Sequence, residues 1–592
     1  MCGIIGYVGS SSTKDILLSS LEKLEYRGYD SSGISIIENN TILTYKSIGK
    51  LINLKNKIKD TTFSSSIGIG HTRWATHGEP SIENAHPHVS SNNKISLVHN
   101  GIIENYLELK EELIKQNISF YGKTDTEVIV KYIESIYDKD PLKAIYKLNK
   151  VLKGSYALAI IFLDFQDKIY FIKNSSPLLI GQNDKGMFLS SDLFSIENYT
   201  NNILFLKDNQ YGYISKHEYQ IYQDNKLIHS HLEKYLSTQY NKETISTSSY
   251  LEKEIYETEL VVKNILQRHI KNNQIDFSSY KIDKIIAQID NIDILGCGSS
   301  YNVGLIGKYL FEDLSKISTR VHVASEYPYL PIIKRKNTLY ILISQSGETA
   351  DLISCLPLLD GFKLGIINVK NSTLSLKTDD NFFLEAGSEI SVATTKAYLG
   401  QLTFLYLLGI YIAYKNKRIN ENHYNSLIFE LKSIPHKIHK ILCSHDPIIT
   451  FSKELTKYNN VFFIGRGIDY LTCIEGSLKL KEITYIHSEA ISSGELKHGT
   501  ISLIDEKVYT IALLSSSLKN KTNSNIQEVK ARKGKVFTIS NNESDYTIPT
   551  TLDIFYPFLQ IIPLQLLALY TGQNKNLDID KPRNLAKSVT VE

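Results

Sequence analysis

The sequence predicts an α/β protein in three parts, a mixed N-terminal unit followed by two open, doubly wound, mostly parallel sheets. Three observations carry that expectation. At 592 residues the chain exceeds what one hydrophobic core usually covers, so several compact units are expected. From Met1 to about Tyr240, short β-rich runs alternate with amphipathic helical patterns. Farther on, a strand that runs into a glycine turn and then a helix occurs twice. The turns are Gly296-Cys297-Gly298-Ser299-Ser300 and Gly465-Arg466-Gly467, 169 residues apart, which marks an internal repeat of βαβ units.

In chain order, Asp15–Leu24 has helical spacing, while 66–70, 95–98 and 158–162 read as strands. The polar stretch 237–249 has no apolar periodicity and reads as a linker. Residues 2–240 are therefore expected as the first domain and 241–282 as linker and connecting helix. The repeats follow as 283–425 and 454–580, and 581–592 is a tail. In the first repeat, strand 292–295 leads to the first glycine turn, and a second strand, 338–343, ends at Ser344. In the second, 461–464 and 508–514 occupy the same places. Ligands are expected outside the carboxyl ends of such strands.

Composition excludes several classes. Hydrophobic residues at 42% and charged residues at 22% are ordinary globular values. A net charge of +3 with interspersed signs gives no basic stripe, so no nucleic-acid partner is expected. The five cysteines are odd in number, scattered and never arranged as C-x-x-C. That argues against a disulfide framework or zinc site and fits a reducing cytoplasm. The apolar run 402–414 is shorter than the roughly 20 residues of a membrane span. The C-terminal apolar stretch is interrupted by Asp553, Pro557 and Pro563, and the N-terminus has no signal-peptide pattern. No membrane segment is expected.

Cys2 would become the N-terminal residue once Met1 is removed, placing a thiol and an α-amine together. Their ordinary pKa values, about 8.5 and about 8, make proton exchange between them nearly thermoneutral, which suits a nucleophile that attacks an amide. Around it stand 26–33 (Tyr-Arg-Gly-Tyr-Asp-Ser-Ser-Gly), 71–78 (His-Thr-Arg-Trp-Ala-Thr-His-Gly), His99-Asn100-Gly101 and 122–127 (Gly-Lys-Thr-Asp-Thr-Glu). In this order they resemble the glutaminase domain of N-terminal-nucleophile (class II) glutamine amidotransferases, a layered αββα fold. The resemblance implies Cys2 as nucleophile, with Arg73, Thr76, His77 and Asp125 binding glutamine. Arg73 would fork onto the α-carboxylate and Asp125 face the α-ammonium. It also implies Asn100 and the Gly101 N–H as oxyanion donors, and Trp74 as a gate on an internal ammonia passage. Without those motifs, Asn100-Gly101 reads as a tight turn after a strand. His71, His77, His86, His88 and His99 match no helical zinc spacing, so no metal is expected.

Ser344-Gln345-Ser346-Gly347-Glu348-Thr349 follows a buried-type strand and precedes a helix near Ala350. Its hydroxyls and N–H groups suit a phosphate, although a serine-rich N-cap is the plainer reading. The corresponding turn 515–518 lacks the pattern, so one phosphate site is expected. Lys479 and Glu482 share a helix face at i, i+3, by itself an ordinary surface ion pair. Downstream come 494–499 (Gly-Glu-Leu-Lys-His-Gly) and the tail with Lys587.

Together these motifs resemble the glutamine–fructose-6-phosphate aminotransferase family over essentially the whole chain. That implies glutamine and fructose 6-phosphate as substrates, sugar-phosphate contacts at Ser299, Ser300, Ser344, Gln345, Ser346, Thr349, Val392 and Thr394, no cofactor, and a homodimer. Lys587 would form an imine with the ketose, Glu482 move protons between C1 and C2, His498 open the ring, and Lys479 assist. The resemblance also implies that His498 acts in the partner's site. Thr500 and Asn174 stand where the family usually has a proline and a basic residue. The alternatives are another class II amidotransferase, for which no phosphoribosyl-transferase motif is found, or a non-catalytic sugar-phosphate sensor.

Overall fold

The computed structural model describes residues 2–75, 77–234, 247–515 and 517–590. It divides into two units, Met1–Gln239 with Ala586–Glu592, and Tyr240–Leu585. Most of the expected linker, 237–246, lies outside the described residues.

The first unit stacks two antiparallel sheets. One has eight strands, with Gly3–Gly9 between Gly186–Ser190 and Ile67–Arg73, and the other has seven, with Gly154–Phe162 between Ile95–Ile103 and Ile169–Asn174. Period-2 alternation sends neighbouring side chains into different layers. Ile5 and Tyr7 pack with Leu17 and Leu21 of helix Thr13–Leu24. Ile4 and Val8 face Ala157, Ala159 and Ile161 of the other sheet. Leu158, Ile160 and Phe162 turn toward Ile129 and Ile133 of helix Asp125–Ile136. Three apolar layers between helix, sheet, sheet and helix make the αββα sandwich, and both sheets are covered on both faces.

One expectation changes here. Asn100 and Gly101 are not a turn but lie inside the strand Ile95–Ile103, opposite Ala157 and Tyr156. Apolar alternation stops at Val98, and pairing with Gly154–Phe162 carries the strand on regardless. Gly101 is still special, with φ at +125°, and a Cβ there would lie 1.9 Å from the Ser155 carbonyl oxygen.

The second unit holds two five-stranded parallel sheets of the same order. The first runs Ser318–Val323, Asn291–Gly296, Thr338–Ser344, Phe362–Ile367, Asp380–Phe383. The second runs His487–Ser492, Asn460–Gly465, Tyr509–Leu513, Lys535–Ser540, Tyr546–Thr547. Each switches direction of winding beside its first strand, where a crevice opens. A single core joins the repeats, including Ile294, Ile341, Phe463 and Ile511. Helix Tyr250–His269 adds Leu251, Ile255, Val262 and Ile265 to it.

The two apolar stretches are longer helices than expected, Lys396–Lys415 and Tyr556–Asn574. Pro557 lies in the first turn of the latter, where no intrahelical N–H is needed, and the helix continues through Pro563. By length and composition both segments could cross a membrane. Their most apolar windows are 94% and 89% buried within the protein, so they are core helices.

Candidate functional site

In the first unit, Cys2 precedes the central strand Gly3–Gly9 and is half-buried. The Trp74 N–H donates to Cys2 Sγ at 3.3 Å, and the thiol donates to the Trp74 carbonyl at 3.5 Å. Trp74 follows directly on strand Ile67–Arg73. Its loop is tied down by Asp30, whose carboxylate accepts from Ala75 N at 2.8 Å and whose N–H donates to the Arg73 carbonyl at 2.9 Å. The indole stands edge-on to Tyr29. The Cys2 carbonyl accepts from Arg27 Nε at 3.2 Å and Asn100 Nδ2 at 3.0 Å, which fixes the thiol-bearing residue from both sides.

Arg73 is 3% exposed and donates to the carbonyls of His77 and Gly78 at 2.5 and 3.0 Å. Asp125 opens helix Asp125–Ile136, capped by Thr124, and accepts from Ile103 N and Thr126 N at 3.0 and 2.9 Å. Burial pushes the Cys2 thiol up, as does Asp125, while Arg73 acts the other way. His77 is half-buried, its ring edge-on to Tyr106. Thr76 lies outside the described residues.

Four imidazoles lie behind this site. His71, His86 and His88 form a column with centroids 4.2 and 5.0 Å apart, and His99 donates to or accepts from Thr126 Oγ1 at 3.0 Å. Burial drives all four toward the neutral form, His71 down to about 3. Among the described residues no group of three or more His, Cys, Asp or Glu could hold a metal ion.

In the second unit the chemistry gathers where the first turns of one helix meet the middle of another. Ser299 and Ser300 begin helix Ser299–Leu310, while Glu475, Lys479 and Glu482 lie on Ile468–Thr484. Ser299 Oγ donates to Glu475 Oε1 at 2.8 Å and accepts from Lys479 Nζ at 3.1 Å. Asn302 Nδ2 donates to Glu475 Oε2 at 2.7 Å. Lys479 Nζ stands 2.5 Å from Glu482 and 3.4 Å from Glu475. What spacing alone reads as a surface pair is part of a triad in which the side chains of Lys479 and Glu475 are 1% and 0% exposed and that of Glu482 is 21% exposed. Burial alone would lower the Lys479 pKa, yet the carboxylates of Glu482 and Glu475 outweigh it and hold the ammonium charged. Burial raises Glu475, against the pull of Lys479, Asn302 and Ser299.

The turn 344–349 follows strand Thr338–Ser344. Gly347 N donates to Ser344 Oγ at 2.9 Å, Glu348 N to Ser346 Oγ at 3.1 Å, and the Ser344 and Thr349 hydroxyls bond at 3.0 Å. The Gln345 carbonyl accepts from Asn368 N. Gly347 has φ +69°, and a Cβ would lie 2.0 Å from Ser372 Oγ. Ser300 Oγ donates to Gln401 Oε1 at 3.3 Å. Val392 is buried, its N–H on the Asp580 carbonyl, and Thr394 is half-buried. His498 ends a short 3-10 turn, Glu495–His498, and is exposed. Lys587 is half-buried in the terminal segment that groups with the first unit.

Sequence reasoning passed over Glu475, Asn302 and Asp30. Glu475 stands four residues before Lys479, a helical pairing visible in the sequence, and Asp30 sits within the 26–33 motif. Asn302 gave no signal, because its partner is 173 positions away.

A half-buried thiol under the charges of a buried arginine and aspartate, and a parallel-sheet repeat carrying a lysine–carboxylate triad, define a two-part amidotransferase. The matching families agree: a glutamine amidotransferase domain at 71–198 and SIS domains at 285–411 and 454–557. The chain belongs to the glutamine–fructose-6-phosphate aminotransferase (isomerizing) family. Full-length members from Caldanaerobacter subterraneus, Clostridium tetani and Methanosarcina acetivorans are 42%, 41% and 38% identical to it, each covering 100% of both sequences. Its second part resembles the solved C-terminal domain of a glucosamine-fructose-6-phosphate aminotransferase from Francisella tularensis. That match has TM-score 0.55 and 34% identity, over 57% of this chain and 99% of the other.

Proposed function

We propose that this enzyme transfers the amide nitrogen of L-glutamine to D-fructose 6-phosphate with isomerisation, giving L-glutamate and D-glucosamine 6-phosphate. The observation that carries this reading is the end-to-end match to enzymes of that name, with a thiol at residue 2 set against the Trp74 backbone. Cys2 attacks the amide, and its α-amine, freed by removal of Met1, takes the thiol proton. Arg73 and Asp125 hold the glutamine head group, and Thr76 and His77 also bind the glutamine. Asn100 and the Gly101 N–H stabilise the oxyanion, and Trp74 gates the released ammonia.

At the second site the turn 344–349, with Ser299, Ser300, Val392 and Thr394, binds the sugar phosphate. Lys587 forms the imine, Glu482 carries the proton between C1 and C2, and His498 opens the ring. A Lys479 ammonium held charged by two carboxylates suits an electrostatic role rather than a nucleophilic one. Five free thiols fit a reducing cytoplasm, and a homodimer, measurable by sedimentation, belongs to the same reading.

The test is incubation with amide-15N glutamine and fructose 6-phosphate. Label is expected in the amino sugar. Cys2→Ala is expected to abolish glutamine use and leave sugar isomerisation intact, and Lys587→Ala to stop transfer. Label released only as ammonia overturns the coupled reaction.

A further inference from the structure

The Asn100 amide faces two ways. Its Nδ2 donates to the Cys2 carbonyl at 3.0 Å and its Oδ1 lies 3.1 Å from His71 Nε2. The same Nε2 lies 2.9 Å from the His99 carbonyl oxygen. A carbonyl oxygen only accepts, so Nε2 must carry the proton. Having a proton to give, it requires the oxygen end of Asn100 on its side, and the amide nitrogen is thereby sent toward Cys2. This assignment follows from the His99 carbonyl alone and does not depend on how the amide is drawn.

The tautomer itself is enforced. His71 is 0% exposed on strand Ile67–Arg73, and its ring lies against His86 at a 34° tilt, centroids 4.2 Å apart. Among the described residues its Nδ1 is buried without a hydrogen-bond partner, which a bare lone pair tolerates and a second N–H would not. The charged form is opposed by burial, by His99 and by Arg73, and only the hydrogen bonds to the His99 carbonyl and Asn100 favour it. A neutral imidazole with one proton, shared by two acceptors, is the stable state.

We infer that His71 is a positioning residue that locks the Asn100 side-chain amide with its nitrogen toward the backbone carbonyl of Cys2, the residue that bears the thiol. It touches neither Cys2 nor, on the proposed reading, glutamine. The inference rests on Asn100 being an oxyanion donor. If His71 loses its N–H, only the Cys2 carbonyl still orients the amide, and whatever fraction rotates presents its oxygen to the developing negative charge, replacing a donor by an acceptor. Full loss of one such donor lowers a rate by about 100- to 1,000-fold, and partial misorientation should cost about 10- to 100-fold.

The experiment measures glutaminase kinetics of the full-length enzyme for His71→Leu, His71→Gln and Asn100→Ala. His71→Leu is expected to lower kcat by about 10- to 100-fold with the glutamine KM little changed, the signature of an interaction made in the transition state. His71→Gln places an N–H near the same point and is expected to recover most of the loss. Both should keep the wild-type shape of the pH–rate profile, because a histidine already neutral at pH 5 to 8 contributes no limb there. His71→Met, which keeps volume without a donor, supplies the same comparison should His71→Leu fail to fold. Equal impairment of the Gln and Leu variants overturns the inference, as does a rise in KM with kcat intact or a lost pH limb. Asn100→Ala separates the two levels. If it leaves kcat untouched, the oxyanion role fails; if it is severe while His71→Leu is silent, only the positioning role fails.

Discussion

The two sheet repeats share a strand order and the backbone angles of their glycine turns and differ in what fills them. Gly298, at the N-cap of Ser299–Leu310, has φ 54° and ψ −127°, and Gly467, at the N-cap of Ile468–Thr484, has φ 56° and ψ −128°. In the first crevice the next residues are Ser299 and Ser300, and the facing turn satisfies its N–H groups with the hydroxyls of Ser344 and Ser346. In the second crevice the place of Ser300 belongs to Asp469, which is 0% exposed and accepts from Gln560 Nε2 at 2.5 Å. The facing turn gives its Ser517 N–H to the Asp553 carboxylate at 2.9 Å. The second crevice thus carries its own carboxyl groups at the helix N-terminus and turn, where a phosphate would otherwise be favoured. Its helix serves the first repeat instead, by sending Glu475 and Lys479 across to Ser299 and Asn302. Duplication kept the frame, and a few polar side chains divided the labour.

The sharpest way to break this comparison is to disarm the crossing helix. Lys479→Met leaves Glu475 buried without its cation and should destabilise the second unit by about 3–5 kcal/mol, read as a lower unfolding midpoint of its transition, with loss of sugar isomerisation. Adding Glu475→Gln should restore part of the stability but not the activity. Next, Ser300→Asp gives the first crevice the acid of the second. A like charge against a phosphate costs several kcal/mol, so fructose 6-phosphate should bind roughly 100-fold more weakly, measured by calorimetry; unchanged affinity would place the phosphate elsewhere. The smallest effect is expected at the turn itself. Gly347→Ala combines a positive φ with a clash on Ser372 and should cost about 1–2 kcal/mol by chemical unfolding, while Gly499→Ala, with no atom within 4 Å of the added Cβ, reports the cost of a positive φ alone.

Much of the candidate site was legible because its residues lie in contiguous motifs. The 71–78 run puts Arg73 and Trp74 beside Cys2, and Gly101 needs a conformation only glycine takes easily. The turn expected at Asn100-Gly101 failed for a local reason: apolar alternation ends at Val98, but strand pairing is satisfied by backbone groups that any sequence supplies. Spacing alone reads Lys479 and Glu482 as a surface pair because it gives the face of a helix and not what covers it.

The sequence by itself determined the two-part α/β plan, the duplicated glycine turns and the chemical inventory, since periodicity and turn chemistry act over a few residues. Packing alone established that Glu475 binds Ser299, 176 positions away, that His71 is buried and neutral, and that carboxyl groups already occupy the second crevice. Burial and long-range pairing set charge states and side-chain orientation, and both arise only when distant strands and helices close around the same point.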